Sequence, residues 1–375
     1  MTEPAAAPRN SRASIVSKLV VSLLPAGLFV WILQSGSLPI VPPRAELARV
    51  ASWTIPTYVA VWAVMYFVRL ARWYWLLKPV QKVPLATVLR AGGVGMFFIA
   101  LAPFRMGEVA RPLLIRRPPK LTFWAASGTV GGERVLDALA VSILLLSALH
   151  FSTPLDPLPH HLGTLPLDVA IVPRMATVSS LVFATAGAVM ALFYFQRAFA
   201  RRLTELVLGV FSKKLAAWVA HKIEQMADGL SFLREPANAV PFVIATIVYW
   251  LLNATTWWLL AQGCGLEQVG FWAASATMGV TALGILVPAT PGFFGAFQFA
   301  TFAGLAMYLA PDAVMSRGAV YAFLGYLLPI SLTALVGIGC MLAKPRALLL
   351  LAGGEDAAGV PVVPTENLAG PPTVS

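Results

Sequence analysis

Residues 268–311 read QVGFWAASATMGVTALGILVPATPGFFGAFQFATFAGLAMYLAP, 44 positions without a single Lys, Arg, Asp or Glu. A helix needs roughly 20 apolar residues to cross a bilayer core, so this stretch can enter, break and return. The interruption is visible in its middle, at Pro288, Pro291 and Gly292. These residues free backbone groups that, at membrane depth, only protein or a wet cavity can satisfy. Four more charge-free runs, at 19–43, 176–196, 236–266 and 318–343, are of spanning length. The chain of 375 residues is 58% hydrophobic and only 11% charged, with mean hydropathy +0.78. Soluble domains carry about a quarter charged residues. The fold class is an all-α polytopic membrane protein.

A net charge of +11 raises nucleic acid as a partner. The basic residues instead cluster between spans, as the positive-inside rule requires, and no basic-aromatic module is present. No nucleic-acid role is expected. The two cysteines, Cys264 and Cys340, lie in apolar stretches, so neither a disulfide framework nor a metal site is expected. MTEPAAAPRNSRASIVSK at 1–18 lacks a small-residue cleavage site and reads as a cytosolic tail before an uncleaved first span. Residues 353–375 are rich in Pro and Gly and read as disordered.

Spans are expected at about 18–38 and 53–77, then one ending near His150, then at 176–196, about 239–262 and about 319–343, six in all. Arg69 and Arg72 are expected to snorkel to the cytosolic interface at the end of the second. Segment 84–104 is followed at once by Arg105, Arg111, Arg116, Arg117 and Lys120, which a simple span would place outside. The conflict disappears if 84–117 enters from the cytosol, breaks at Pro103 and Gly107, and returns. Segment 197–235, with seven Lys or Arg, reads as an amphipathic helix on the cytosolic surface. The domains are then a cytosolic tail at 1–17, a membrane domain at 18–346 and a disordered tail at 347–375, with both termini cytosolic in a bacterial inner membrane.

The two broken segments resemble each other. LAPFRMG at 101–107 and LVPATPG at 286–292 share Leu, Pro and Gly, and Pro103 to Pro288 and Gly107 to Gly292 are both 185 residues apart. One enters from the cytosol and the other from outside. Paired Pro/Gly-interrupted segments in corresponding halves point to an inverted repeat with a site near the midplane. The architecture expected is about six full spans plus two re-entrant hairpins.

Ionisable groups at membrane depth are costly and line polar cavities or pair with one another. Arg105, Glu108 and Arg111 form the densest such cluster, around Gly107. Two arginines with one carboxylate leave a positive site suited to phosphate, which a guanidinium binds in a bidentate fork. Arg116, Arg117 and Lys120 read as topology signals. A second cluster, Glu133, Arg134 and Asp137, has spacings of three and four that let all three interact along one helix. Two readings stay open for it: an internal ion-pair lock, or direct substrate contact. Gly128, Gly131 and Gly132 just upstream read as helix packing. The third candidate is Pro288, Thr290, Pro291, Gly292, Gly295 and Gln298, a second site-forming break or a plain proline kink. No HExxH, no supported GxSxG and no aspartate-rich motif occurs, so neither catalysis nor a cofactor is expected.

R-x-G-E-x-x-R after a membrane proline, then E-R-x-x-D, then P-x-T-P-G-x-x-G resembles a flippase-like membrane family. That family includes the membrane part of lysylphosphatidylglycerol synthases (multiple peptide resistance proteins), stand-alone members and hopanoid-associated ones. The resemblance covers about 15–345 and assigns its motif positions to Arg105, Gly107, Glu108, Arg111, Glu133, Arg134, Asp137, Pro288, Thr290, Pro291, Gly292 and Gly295. It departs at Gln298, where the family commonly carries Glu, which puts a proton- or cation-coupled role in doubt. The aminoacyl-transferase domain is expected to be absent, so no lysyl transfer is expected. The resemblance implies binding and flipping of an anionic phospholipid, glycolipid or polyprenyl-linked lipid. The alternative is an accessory or scaffold subunit partnering a lipid-modifying enzyme.

Overall fold

A computed structural model describes residues 24–102, 105–116, 121–166, 168–196, 221–222, 224–286 and 291–343. Among them the ordered elements are helices: α1 (Leu24–Ser35), α2 (Thr54–Ala71), α3 (Leu85–Leu101), α4 (Gly107–Ile115), α5 (Phe123–Phe151), α6 (Ile171–Phe195), α7 (Pro236–Gly263), α8 (Phe271–Gly284), α9 (Ala296–Leu305) and α10 (Arg317–Leu342). Short turns at Trp73–Leu77 and Pro311–Met315 extend α2 and precede α10. Among the described residues, five helical stretches are long and apolar enough to span a membrane, and α1, α3 and α9 are shorter apolar helices. The start of the expected first span, most of the amphipathic 197–235 segment and the C-terminal tail lie outside the described residues.

Local chemistry sets the helix starts. Thr122 caps α5 by accepting the Ala125 N–H at 3.1 Å. Proline opens α7 at Pro236, where its missing N–H costs nothing. The first break begins at Ala102, extended at φ −85° and ψ 149°, as a residue before proline must be.

Both broken segments fold back on themselves. In the first, Gly107 at the start of α4 lies against the Gly95 carbonyl and Ile99 of α3. In the second, Gly284 and Thr277 of α8 lie against Ala300 and Gly304 of α9, and the hydroxyls of Thr281 and Thr301 are 3.1 Å apart. Small residues allow these close approaches, as is usual between membrane helices.

The pairing of helices is that of a repeat. α3 packs on α10, and α8 packs on α5, so each hairpin's first arm docks on the helix that follows the other hairpin. α4 packs on α5 as α9 packs on α10, and α2 packs on α7. Exchanging α2–α5 for α7–α10 leaves this pattern unchanged. The counterparts α2 and α7 run antiparallel, since Thr54 meets Gly263 at one end while Arg72 reaches Thr246 near the other. A repeat whose equivalent helices point in opposite directions is inverted, as the paired breaks predicted.

Among the described residues two hydrophobic cores form. One gathers Trp62, Leu260, Phe302 and Tyr321; the other gathers Trp73, Leu77, Ile115 and Phe232. Outside them the helices present large apolar side chains outward, such as Leu181, Ile143 and Leu335, the surface a bilayer requires.

Candidate functional site

Arg72 organises the interior. It ends α2, is fully buried, and donates from both terminal nitrogens to the two Asp137 oxygens, each at 2.6 Å. This is the parallel fork that makes guanidinium–carboxylate pairs strong. The same guanidinium reaches Glu133 at 3.0 Å and the Thr246 hydroxyl at 3.2 Å. Glu133 accepts in addition from Arg111 at 2.7 Å and from Arg134 at 2.8 Å. The Trp250 indole donates to Asp137 at 3.3 Å. Helix geometry supplies the convergence: Glu133 and Asp137 are four apart on α5, Thr246 and Trp250 four apart on α7. The expectation that Arg72 snorkels to the interface is corrected here. Its partners are carboxylates on another helix, and burial with them outweighs the reach to water.

Arg111 is equally committed. It is buried, its guanidinium lies 4.1 Å above the Trp73 ring, and its stem passes across Gly95, where any Cβ would collide with it. The Trp73 indole is itself held by Thr129 at 2.9 Å. Arg111 thus ties α4 to α5 and to the end of α2.

Beside this network lies a cavity of about 580 Å³. Arg69, Arg105, Glu108, Arg134 and Asp137 line it together with apolar and aromatic residues that include Tyr58, Trp62, Met278, Trp257, Phe297 and Tyr326. Arg69, like Arg72, was expected at the interface; it faces this cavity, with its guanidinium 5.4 Å from the Tyr249 ring. Around the cavity and the network together, Arg69, Arg72, Arg105, Arg111 and Arg134 stand against Glu108, Glu133 and Asp137, an excess of two positive charges. Among the described residues no group of three or more His, Cys, Asp or Glu converges as a metal site would need.

The hairpin tips meet at this cavity. Arg105, at φ 52°, occupies the first break, ion-paired to Glu108 at 3.4 Å. Its guanidinium lies 5.6 Å from the ring of Phe293, the tip residue of the second, which is also left-handed at φ 58°. Gly292 (φ 65°) turns the second tip against Tyr326 and Ala100. Left-handed non-glycine residues are uncommon and cluster at functional sites.

The sequence-derived candidates therefore divide. Arg105, Glu108, Arg134, Asp137 and Gly292 line the cavity. Glu133 and Arg111 stand behind it in the ion network, and Gly107 closes the first hairpin. Gly295 begins α9, and Gln298 caps that helix by accepting the Gly295 N–H at 2.8 Å. A cap needs only an acceptor oxygen, so Gln serves where a Glu would. Pro291 opens the short turn Pro291–Phe293; Pro103, Pro288 and Thr290 lie outside the described residues. Gly128 and Gly132 pack against Met226 and Leu230, in line with the packing role expected of them, whereas nothing lies within 4 Å of a Cβ built on Gly131, which does not share it.

Sequence reading missed Arg69, Arg72, Trp250 and Phe293. A signal was present: Tyr58, Trp62, Met65, Tyr66 and Arg69 recur at spacings of three and four, one continuous face of α2 that runs from aromatic to basic.

No curated protein matches the chain significantly, and no solved structure does. Residues 15–333 match the family model described as the lysylphosphatidylglycerol synthase TM region. With that match spanning most of its length, the chain belongs to the lysylphosphatidylglycerol synthase transmembrane-region family.

Proposed function

We propose that this multi-pass membrane protein binds an anionic lipid head group in the cavity between its two hairpin tips and moves that lipid across the bilayer, without covalent chemistry. The observation that carries the reading is a single cavity lined both by Arg69, Arg105 and Arg134 and by apolar and aromatic side chains such as Trp62, Trp257 and Phe297, which suits a ligand with an anionic head group and an apolar chain. Arg105, Arg69 and Arg134 contact the phosphate or anionic head group, and Glu108 offsets the site so that the lipid can leave. Arg111, Glu133 and Arg72 hold these groups in place, which assigns Arg111 to orienting the site instead of gripping the ligand. On the second tip Gly292 and Phe293, with Phe297 on α9, form the facing wall. The ends carrying Lys78, Lys82, Arg116 and Arg234 face the cytosol of a bacterial inner membrane.

Fluorescent-lipid movement in proteoliposomes tests this. Hydrogen bonds to charged groups contribute roughly 1.5–3 kcal/mol, so Arg105→Lys, which keeps the charge and loses the fork, slows transport and weakens lipid binding about ten-fold or more. Lipid binding without any transport by the wild-type chain would favour the accessory-subunit reading.

A further inference from the structure

Among the aromatic side chains of the cavity stands one amide. Asn253 lines it from α7, between Tyr249 and Trp257, which line it too. The three are four residues apart, so they share one face of that helix. Among the described residues the Asn253 side chain has no hydrogen-bond partner; only its backbone carbonyl is engaged, accepting from the Thr256 hydroxyl at 2.6 Å. The Tyr326 hydroxyl, beside Gly292, also lines the cavity and bonds to no described residue. An acyl chain lying here would strip water from an amide and a phenol and return no hydrogen bond. A ligand with hydroxyl groups would satisfy both. Asn253 carries no charge, so it selects hydroxyls over an ammonium group. A site built to hydrogen-bond a ligand hydroxyl rejects the analogue that lacks it.

The walls beside this amide suit a ring. Trp257 and Phe297 have ring centroids 5.7 Å apart, and Phe297 and Tyr326 5.5 Å apart, so the three form a continuous aromatic wall. A six-membered polyol ring carries hydroxyls around its rim and C–H bonds on its faces. Such a face stacks on an aromatic wall while the rim reaches polar groups beside it. Position along α7 fits the same ligand. The Arg69 guanidinium lies 5.4 Å from the Tyr249 ring, and Asn253 follows Tyr249 by one helical turn, about 6 Å along the axis. A phosphate at Arg69 and a ring attached to it cover that distance.

We propose that the ligand's head group carries a polyhydroxylated six-membered ring on its phosphate. The ring stacks on Trp257, with its hydroxyls on Asn253 and Tyr326. This rests on the head-group site proposed above and names the head group's class: a phospholipid bearing a sugar-like ring, in which part of the aromatic lining serves the head group and not the chain.

The test uses the full chain, purified without sugar-headed detergent and placed in phosphatidylcholine nanodiscs, with bound lipid counted by native mass spectrometry. Dioleoyl phosphatidylinositol is compared with dioleoyl phosphatidylethanol, which has the same phosphate charge and no hydroxyl. Two hydrogen bonds to neutral groups together change affinity by about ten-fold or more, so the wild type prefers phosphatidylinositol by that factor. Equal affinity would overturn the proposal. Phosphatidylglycerol, with hydroxyls but no ring, binds several-fold less tightly than phosphatidylinositol, and equal binding by these two would overturn the stacked ring. Asn253→Leu, of similar volume, brings the phosphatidylinositol-to-phosphatidylethanol ratio close to one; an unchanged ratio would overturn the Asn253 contact. Arg105→Ala weakens both lipids alike, and wild-type affinity for both in that variant would overturn the head-group site itself. Soluble inositol 1-phosphate, without acyl chains, competes about a hundred-fold less well; equal competition would overturn a lipid as the carrier of the ring. Should Asn253→Leu fold poorly, the three-lipid comparison on the wild type needs no substitution and decides whether a ring is recognised.

Discussion

Arg72 and Asp137 show how charge is kept inside an apolar bundle. Each desolvated ion costs several kcal/mol, and the pair persists because the fork at 2.6 Å, the Trp250 donor and the Arg134 ion pair at 3.5 Å satisfy it. Removing one partner strands the other. Arg72→Met is expected to destabilise the protein by about 3–5 kcal/mol, read as a lowered melting temperature in detergent, and Arg72→Met/Asp137→Leu to recover part of it. Full stability in the single variant would contradict the lock. A second prediction separates two arginines that look alike in sequence. Arg111 touches Glu133 and Trp73 and does not line the cavity, so Arg111→Lys lowers thermal stability and weakens anionic-lipid binding less than Arg105→Lys does. Arg105→Lys gives the reverse, because Arg105 faces the cavity. Equal loss of affinity in both would return Arg111 to direct head-group contact.

At the scale of elements, the hairpins depend on glycine where backbones meet. A Cβ on Gly107 would run into the Gly95 carbonyl and the Ile99 amide, backbone atoms that no rotamer change can move aside. Gly107→Ala therefore forces α4 off α3 and carries Arg105 and Arg111 out of position together. Both folded yield and lipid binding should fall, measured by size-exclusion profile and titration. Gly131→Ala is the comparison, since nothing lies within 4 Å of a Cβ there. A Gly107→Ala protein as well behaved as Gly131→Ala would mean that the hairpin is looser than its packing indicates.

For the whole molecule, the inverted repeat fixes which ends lie together. α3 and α4 run antiparallel from a shared tip, so the segment before α3 and the end of α4 emerge on one face. Cysteines introduced at Lys82 and Arg116 in a cysteine-free background should both resist a membrane-impermeant maleimide in intact cells and both react in inverted vesicles. Labelling at 116 alone from outside would break the hairpin. The repeat is unequal in chemistry. The offset of 185 residues that relates Pro103 to Pro288 also carries Arg72 onto Trp257 and Trp73 onto Trp258. The charge network therefore belongs to one half, and aromatic packing occupies the equivalent place in the other.

The sequence by itself determined the membrane class, the long charge-free spans, the two breaks and the relation between them. Each depends on local properties: the run of apolar residues a bilayer demands, and the backbone limits of Pro and Gly. It also pointed to Arg105, Glu108, Arg134 and Asp137, because charges in the middle of apolar runs stand out. Only the tertiary structure decided which arginines turn inward and what each one holds. Arg72 meets Glu133, Asp137 and Thr246 at separations of 61, 65 and 174 residues, contacts set by how three helices pack and rotate against one another. A charge near a span's end reads the same in sequence whether it points to water or to a carboxylate. The cavity likewise exists only once the two hairpins meet, since it is the space their tips, α2 and α6 leave unfilled.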